Sequence, residues 1–413
     1  MRVAVAVVLL VAAVAPAVAG ERAIQVGGFF AVHDRETIPV WPERLQMLVA
    51  GTAEGPLIAD AKRRAATAGN PARFIFYQSF SSLDGGCGCF DAELLARLRR
   101  EHPEFVLKAG DGTPVSTYVD SLGPGRQLAL DVGNPGYADA WADAALARAK
   151  RDGWDGVFAD NVVRGRFDQS WSAVPVSPRT HRPYTVAEYR ADTLAALRRV
   201  RDRFDAAGKL FVGNHGGGWA AFDEDETIRQ QVLAMTGVEI EDFANTYGGK
   251  PQSEDDWLRQ LRYLEFANAH GVLTWANGGG GTLMKPAQRE FVLASYLLTR
   301  RGRSVVGDLN GAKTWWPAVA IDLGDAKGSF YCVEPATPCP APGRAIGRDF
   351  TRARVFVNPG DAPRTVPLGG EKLVGLDDAA PAPDPLPLPP HSGRVLLRGD
   401  HTASRTSSGR AGR

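Results

Sequence analysis

The sequence predicts a (β/α)8 TIM barrel followed by a small C-terminal antiparallel β domain, and three observations carry that expectation. From Ala23 to about Asn310, short β-rich apolar runs alternate with longer segments of helical periodicity, the layout of a parallel sheet covered by helices. The apolar runs end in polar residues, as expected where the carboxyl rim of a barrel carries a site. Beyond Trp315 the helical period stops, and short β-prone runs separated by Pro, Gly and Asp take over.

Taken in order, the chain opens with Arg2, an apolar run from Val3 to Val14, and Ala17-Val18-Ala19. This reads as an export signal cut after Ala19; an uncleaved anchor is the alternative, against which stand the shortness of the run and Pro16. Residues 20–312 are assigned to the barrel. Its eight strands are expected at Ala23 to Phe30, Arg73 to Gln78, Phe105 to Ala109, Gly156 to Asp160, Leu210 to Asn214, Val238 to Phe243, Val272 to Trp275 and Ser304 to Gly307. A further extended piece, Gln127 to Asp131, belongs to the long loop between the third and fourth.

Helices are expected at Pro56 to Ala68, Asp91 to Glu101, Tyr137 to Arg151, Val186 to Ala207, Glu224 to Met235, Ser253 to His270 and Pro286 to Arg301. Each carries apolar residues three and four apart, with charges opposite. Residues 313–399 form the β domain, with strands at Ala318 to Leu323, Gly328 to Val333, Arg354 to Val357, Arg364 to Leu368 and Arg394 to Leu397. The Ser-, Arg- and Gly-rich residues 400–413 read as a disordered tail.

The 413 residues carry a formal net charge of +1 and 44% hydrophobic content. With Lys and Arg scattered along helices, nothing calls for a nucleic-acid partner. No segment after the export signal is long and apolar enough to span a bilayer, so a secreted or periplasmic monomer is expected. Cys332 and Cys339 bracket a Pro-rich loop and could close it as a local disulfide. Cys87 and Cys89, in Gly-Gly-Cys-Gly-Cys-Phe, are open between free thiols and a bridge to another partner, a mutual bridge being strained. No metal or other cofactor is expected, because Cys-x-Cys has no matching Cys or His pair and no tight acidic and His cluster is found.

The segment Trp154-Asp155-Gly156-Val157-Phe158-Ala159-Asp160-Asn161 delivers one carboxylate at the tip of the fourth strand. Two strands later, Val238-Glu239-Ile240-Glu241 puts Glu239 and Glu241 on one side, with Glu241 at the carboxyl end. The tips of strands four and six flank strand five and face one gap. Cleavage of a glycosidic bond uses such a pair, one carboxyl protonating the leaving oxygen and the other attacking the sugar or activating water. Asp160 is therefore the expected nucleophile or base and Glu241 the expected general acid; the bland alternative is a capping Asp and a buried ion pair.

Tyr77, Gln78, Asn161, Asn214, His215, Trp275 and Asn277, all at strand ends, are the expected carbohydrate-binding residues, with Trp275 the preferred platform for a sugar ring. Trp41, Trp219 and Tyr247 are further aromatic candidates. Asp131, in Leu-Asp-Val-Gly-Asn-Pro, is expected to bond a sugar hydroxyl or the nucleophile, or else to close the turn before the next helix. The glycine runs at 216–218 and 278–281 lack the Lys-Ser or Lys-Thr of a phosphate loop, and neither a Gly-x-Ser-x-Gly elbow nor a His-Glu-x-x-His helix occurs. A barrel that binds carbohydrate without cleaving it is the rival reading.

The stretch Leu130-Asp131-Val132-Gly133-Asn134-Pro135, a helix, and then Asp155-Gly156-Val157-Phe158-Ala159-Asp160-Asn161 resembles hypothetical glycosyl hydrolase family 15. It is also similar to the barrel of the endo-α-1,4-polygalactosaminidase family. The resemblance implies an Asp after the fourth strand and a Glu after the sixth as catalytic pair, which fall on Asp160 and Glu241. The closing runs Val355-Phe356-Val357-Asn358-Pro359 and 388–397 are similar to the β domain that ends many glycosidases.

Overall fold

The computed structural model describes residues 24–30, 44–51, 55–70, 72–87, 90–162, 167, 170–246, 248–278, 284–307 and 316–399. The export signal, Trp41, Cys89, Tyr247 and the tail from residue 400 lie outside the described residues. Eight parallel strands follow one another in chain order: β1 (Gly27–Phe30), β2 (Met47–Ala50), β3 (Arg73–Ser79), β4 (Gly156–Asp160), β5 (Leu210–Asn214), β6 (Gly237–Ile240), β7 (Leu273–Ala276) and β8 (Val305–Val306). Val26, just before β1, bridges Val306 of β8 in parallel, and the Val306 N–H donates to the Gln25 carbonyl at 2.8 Å. That contact brings the two ends of the sheet together as a barrel.

Both faces of the sheet are buried, which is why its strands read as unbroken apolar runs. Met47, Val49, Ile75, Phe158, Val212, Leu273, Trp275 and Val305 fill the inside. Leu48, Phe74, Phe76, Val157, Ala159, Phe211, Val238 and Ile240, on the alternate positions, pack into the larger core shared with the helices. Those helices are α1 (Gly55–Thr67), α2 (Phe90–Glu101), α3 (Pro135–Asp152), α4 (Val186–Ala206), α5 (Glu226–Leu233), α6 (Glu254–Ala269) and α7 (Pro286–Thr299). Their boundaries lie within about two residues of the sequence expectation, because the caps are written locally. Asn134 accepts from the Gly136 N–H with Pro135 at the first helical position of α3, and Thr185 with Glu188 forms a reciprocal cap on α4.

Two strand assignments are corrected. The second strand is Met47–Ala50, whose four residues are too short a run to stand out in sequence. Phe105 to Ala109, expected as the third strand, is not in the barrel. Pro103–Phe105 is a 3-10 turn, and Val106 and Lys108 bridge Leu130 and Pro114 antiparallel. They belong to an excursion between β3 and α3, whose three-stranded sheet pairs Ser82–Asp84, Gln127–Ala129 and Ser116–Thr117. Val106 and Leu107 are apolar because that excursion has a buried side of its own, and a short apolar run does not reveal which sheet it joins.

The C-terminal strands are β9 (Tyr331–Cys332), β10 (Ile346–Asp349), β11 (Ala353–Asn358), β12 (Arg364–Val366), β13 (Leu373–Gly375), β14 (Leu386–Leu388) and β15 (Ser392–Arg398). Five make an antiparallel sheet in the order β9-β10-β11-β15-β13, and β12 pairs with β14. Ala318 to Leu323, expected as a strand, instead contains a 3-10 turn at Pro317–Ala320 with proline at its start. Cys332 and Cys339 are joined as a disulfide across 5.7 Å between Cα atoms, and no described cysteine is free.

This sheet docks on α7. A Cβ on Gly393 would stand 2.6 Å from the Ala294 Cβ, so only glycine lets β15 approach so closely. The buried Arg348 Nη1 donates to the carbonyls of Leu297, Leu298 and Arg300, each at 2.9 Å, closing the C-terminal end of α7. Burial pushes that guanidinium down to about 10. Arg348→Met keeps much of the stem and deletes the donors; it is expected to lower the unfolding free energy by about 3 kcal/mol. The check is the urea midpoint at constant slope, and an unshifted midpoint rules out this cap.

Candidate active site

The two-residue period of the strands decides which side chains reach the mouth. On β3 Tyr77 faces inward above Ile75, and on β4 Asp160 stands one inward position above Phe158. On β5 Asn214 stands above Val212, and Glu239 on β6 lies at the same level as Asn214 and Trp275. Glu241 and Asn277, two residues beyond Glu239 and Trp275, complete the ring.

Asn214 joins the carboxylates. Its Nδ2 donates to Asp160 Oδ1 at 2.9 Å and to Glu241 Oε2 at 3.1 Å. Those two oxygens can therefore be no farther apart than the two bonds laid end to end, about 6 Å. Asp160 accepts three more hydrogen bonds: Tyr77 Oη to Oδ2 at 2.5 Å, Asn161 Nδ2 to Oδ2 at 3.0 Å and the Asn161 N–H to Oδ1 at 2.8 Å. Burial, and then the neighbouring Asp160 charge, hold the Tyr77 hydroxyl well above the usual phenol range, so it stays a donor. Asp160 and Glu241 are partly exposed, whereas Asn161 and Asn214 are buried.

Asn161 has a left-handed backbone, φ 59°, a conformation that Asn tolerates better than most residues. Two bonds hold it there: Ser81 Oγ donates to its carbonyl, and Tyr118 Oη donates to its Oδ1. The second leaves Asn161 Nδ2 turned to Asp160. Tyr118 comes from the excursion, and no strand pattern pointed to it. Glu239 was visible in the sequence as sharing a face with Glu241; Asn277 Nδ2 donates to its Oε1 at 3.1 Å.

Four expected binding residues do not reach this cluster. Gln78 is the outward neighbour of Tyr77 and lines a groove of about 460 Å³ outside the barrel, with Phe90 and Leu94 of α2 and Arg148 of α3. His215, the outward neighbour of Asn214, is 1% exposed. Both its ring nitrogens are taken, Nδ1 with Tyr263 Oη at 2.8 Å and Nε2 with Gln231 Oε1 at 2.9 Å. Trp275, the preferred platform, is 0% exposed. It fills the barrel one inward position below Asn277, against Phe158, and a Cβ on Gly27 would stand 2.6 Å from its ring. Asp131 closes the turn before α3, accepting from the Gly133 N–H at 3.1 Å and from Tyr184 Oη at 3.4 Å.

Trp219 is also buried, its Nε1 donating to Asp242 Oδ1 at 3.3 Å. Among the described residues no group of three or more His, Cys, Asp or Glu side chains is arranged to hold a metal ion.

The sequence profile of hypothetical glycosyl hydrolase family 15 matches residues 73–354. The chain belongs to that family. This glycoside hydrolase acts on glycosidic bonds, and the family match runs from β3 through Asp160 and Glu241 into the C-terminal sheet. Among curated proteins no match is found. Among solved structures, a family GH13_31 enzyme is similar at 10% identity and a TM-score of 0.51, covering 91% of this chain and 98% of that one. The noncanonic maltogenic α-amylase AmyB from Thermotoga neapolitana is similar at 9% identity and a TM-score of 0.49, with 91% and 98% covered. A debranching enzyme from Nostoc punctiforme is similar at 13% identity and a TM-score of 0.45, with 87% of each chain covered. At such identities the first likeness is one of fold.

His215 gives this glycoside hydrolase a pH dependence of stability. Burial pushes the imidazole from 6.5 down to about 4, so the unfolded chain binds a proton that the folded one refuses. That contribution is present above about pH 6.5 and is lost as pH falls through about 4, up to roughly 3 kcal/mol. In His215→Gln the slope between those two pH values should flatten in urea titrations; an unchanged slope places the loss elsewhere.

Proposed function

We propose that this glycoside hydrolase is exported and cleaves a poly- or oligosaccharide by double displacement, with Asp160 as nucleophile and Glu241 as general acid and then base. The observation that carries the reading is the shared Asn214 amide, which limits the gap between the nearest carboxylate oxygens to about 6 Å. Retaining enzymes hold their carboxyl groups about 5–5.5 Å apart and inverting ones about 6.5–9.5 Å; two oxygens bonded to one nitrogen favour the shorter class, and the anomeric configuration of the product decides it.

Roles follow from the donors. Four hydrogen bonds from Tyr77, Asn161 and Asn214 hold Asp160 as an oriented anion, with no Lys, Arg or His paired to it among the described residues, and one of them gives way at the oxygen that attacks. Two carboxyls so close favour one shared proton, which assigns the acid role to Glu241. Glu241 protonates the leaving oxygen as Asp160 forms the glycosyl ester. The resulting carboxylate then takes a proton from water, which attacks the sugar carbon and releases Asp160.

Two experiments test this. On a panel of polysaccharides, Asp160→Asn and Glu241→Gln are each expected to lower kcat by about 10³-fold or more at unchanged folding, and NMR of the first product should show the starting anomeric configuration. Full activity in either variant removes its role, and an inverted product removes the ester. For export, the protein recovered outside the cytoplasm of a bacterial host should begin at Gly20; retention with an intact N-terminus rejects the signal.

A further inference from the structure

Beneath the two partly exposed carboxyls lies a third. Glu239 is 0% exposed, inward-facing on β6 and one inward position below Glu241. Asn277 Nδ2 donates to its Oε1 at 3.1 Å, and Oε2 has no hydrogen-bond partner among the described residues. The charged neighbours that act on it most strongly are negative: Glu241 and Asp242 on its own strand end, and Asp160 across Asn214 on β4. Tyr263 of α6 feels the Glu239 charge and, itself buried, stays a neutral phenol. Among the described residues the Asn277 amide is its one named donor, and no cation is among the groups that act on it most strongly. A carboxylate buried there would leave an oxygen without a donor beside like charges, a cost that a bound proton removes.

Resting on the assignment of Glu241 as the acid, we propose that Glu239 is a positioning residue that carries a proton on Oε2 and offers it as a hydrogen-bond donor to Glu241 when Glu241 becomes anionic. The proton stays on Glu239, so the step balances without any transfer from it. Glu239 accordingly keeps the three-carboxyl cluster from accumulating charge as the leaving oxygen is protonated. Burial, and then the Glu241 charge, push the Glu239 carboxyl well above its ordinary 4.5, in the direction this role requires.

The full-length protein without substrate is measured first. Infrared spectra near neutral pH should contain a protonated carboxyl band that disappears in Glu239→Gln. The Glu239 stability contribution is complete below about pH 4.5 and falls as pH rises, so the Gln variant should gain on the wild type as pH increases. Turnover comes second. Glu239→Gln, which keeps a neutral donor, should retain kcat within about threefold, whereas Glu239→Met, which has none, should lose about tenfold or more in kcat at nearly constant KM.

An absent band, or a Gln variant that folds and is as inactive as Glu241→Gln, overturns the proposal; so does a Met variant with wild-type kcat. If the Gln variant does not fold, the band is sought by difference against the Met variant. Should neither fold, band intensity is followed in the wild type, and bleaching between about pH 4 and about pH 5 overturns the proposal. The spectra need no turnover, so a missing band rejects this inference alone, while full activity in Glu241→Gln rejects the assignment of the acid.

Discussion

Two acidic side chains at strand tips one strand apart repel one another, and the described residues between and beside them at the mouth of this barrel are neutral donors. Asn214 stands between them on β5 and donates to both. An amide can do this where a guanidinium could not without changing the chemistry, since a full positive charge would lower the proton affinity of both carboxyls at once. Tyr77 and Asn161 extend the same solution, supplying oriented dipoles rather than charge. Described arginines serve other places, in surface pairs such as Arg199 with Asp139 and Arg262 with Asp223, or at the helix end closed by Arg348.

That arrangement depends on the barrel being full. Phe158, Val212 and Trp275 occupy the layer beneath the polar ring, so Asp160, Asn214 and Asn277 rest on packed side chains. A buried carboxyl directly on this layer, Glu239, is in a low-dielectric setting, and the amide of Asn277 is its one named donor. Preorganisation here is therefore largely a matter of packing. The donors cannot turn away from Asp160 without disturbing neighbours that have nowhere to go.

Much of this was legible in the sequence because strand alternation is a strong rule. It places Asp160, Asn214, Glu241 and Asn277 on one side of their strands from their positions alone, and the structure brings the first three into contact. The same rule explains the exceptions. Gln78 and His215 also end apolar runs, yet each is one residue out of phase with its inward neighbour and faces the helix layer. Trp275 is in phase but one step too deep. β2 went unseen because four residues carry little pattern, and Phe105 to Ala109 took its place in the count. Tyr118 could not have been found from spacing at all, since it reaches Asn161 from an excursion whose path no local rule fixes.

The docking of the C-terminal sheet on α7 bears on how the chain can be divided. Every residue of α7 from Phe291 to Thr299 is buried, so the helix has no solvent stripe. It is sandwiched, with the barrel on one flank and β11 and β15 on the other. An ordinary outer helix of such a barrel would present a polar exterior. Here the exterior is the neighbouring sheet, and what looks in sequence like an appended module is the missing half of a wall. Partial chains ending near residue 312 would carry a naked greasy rod, and homologous modules could be swapped in only together with the helix they cover.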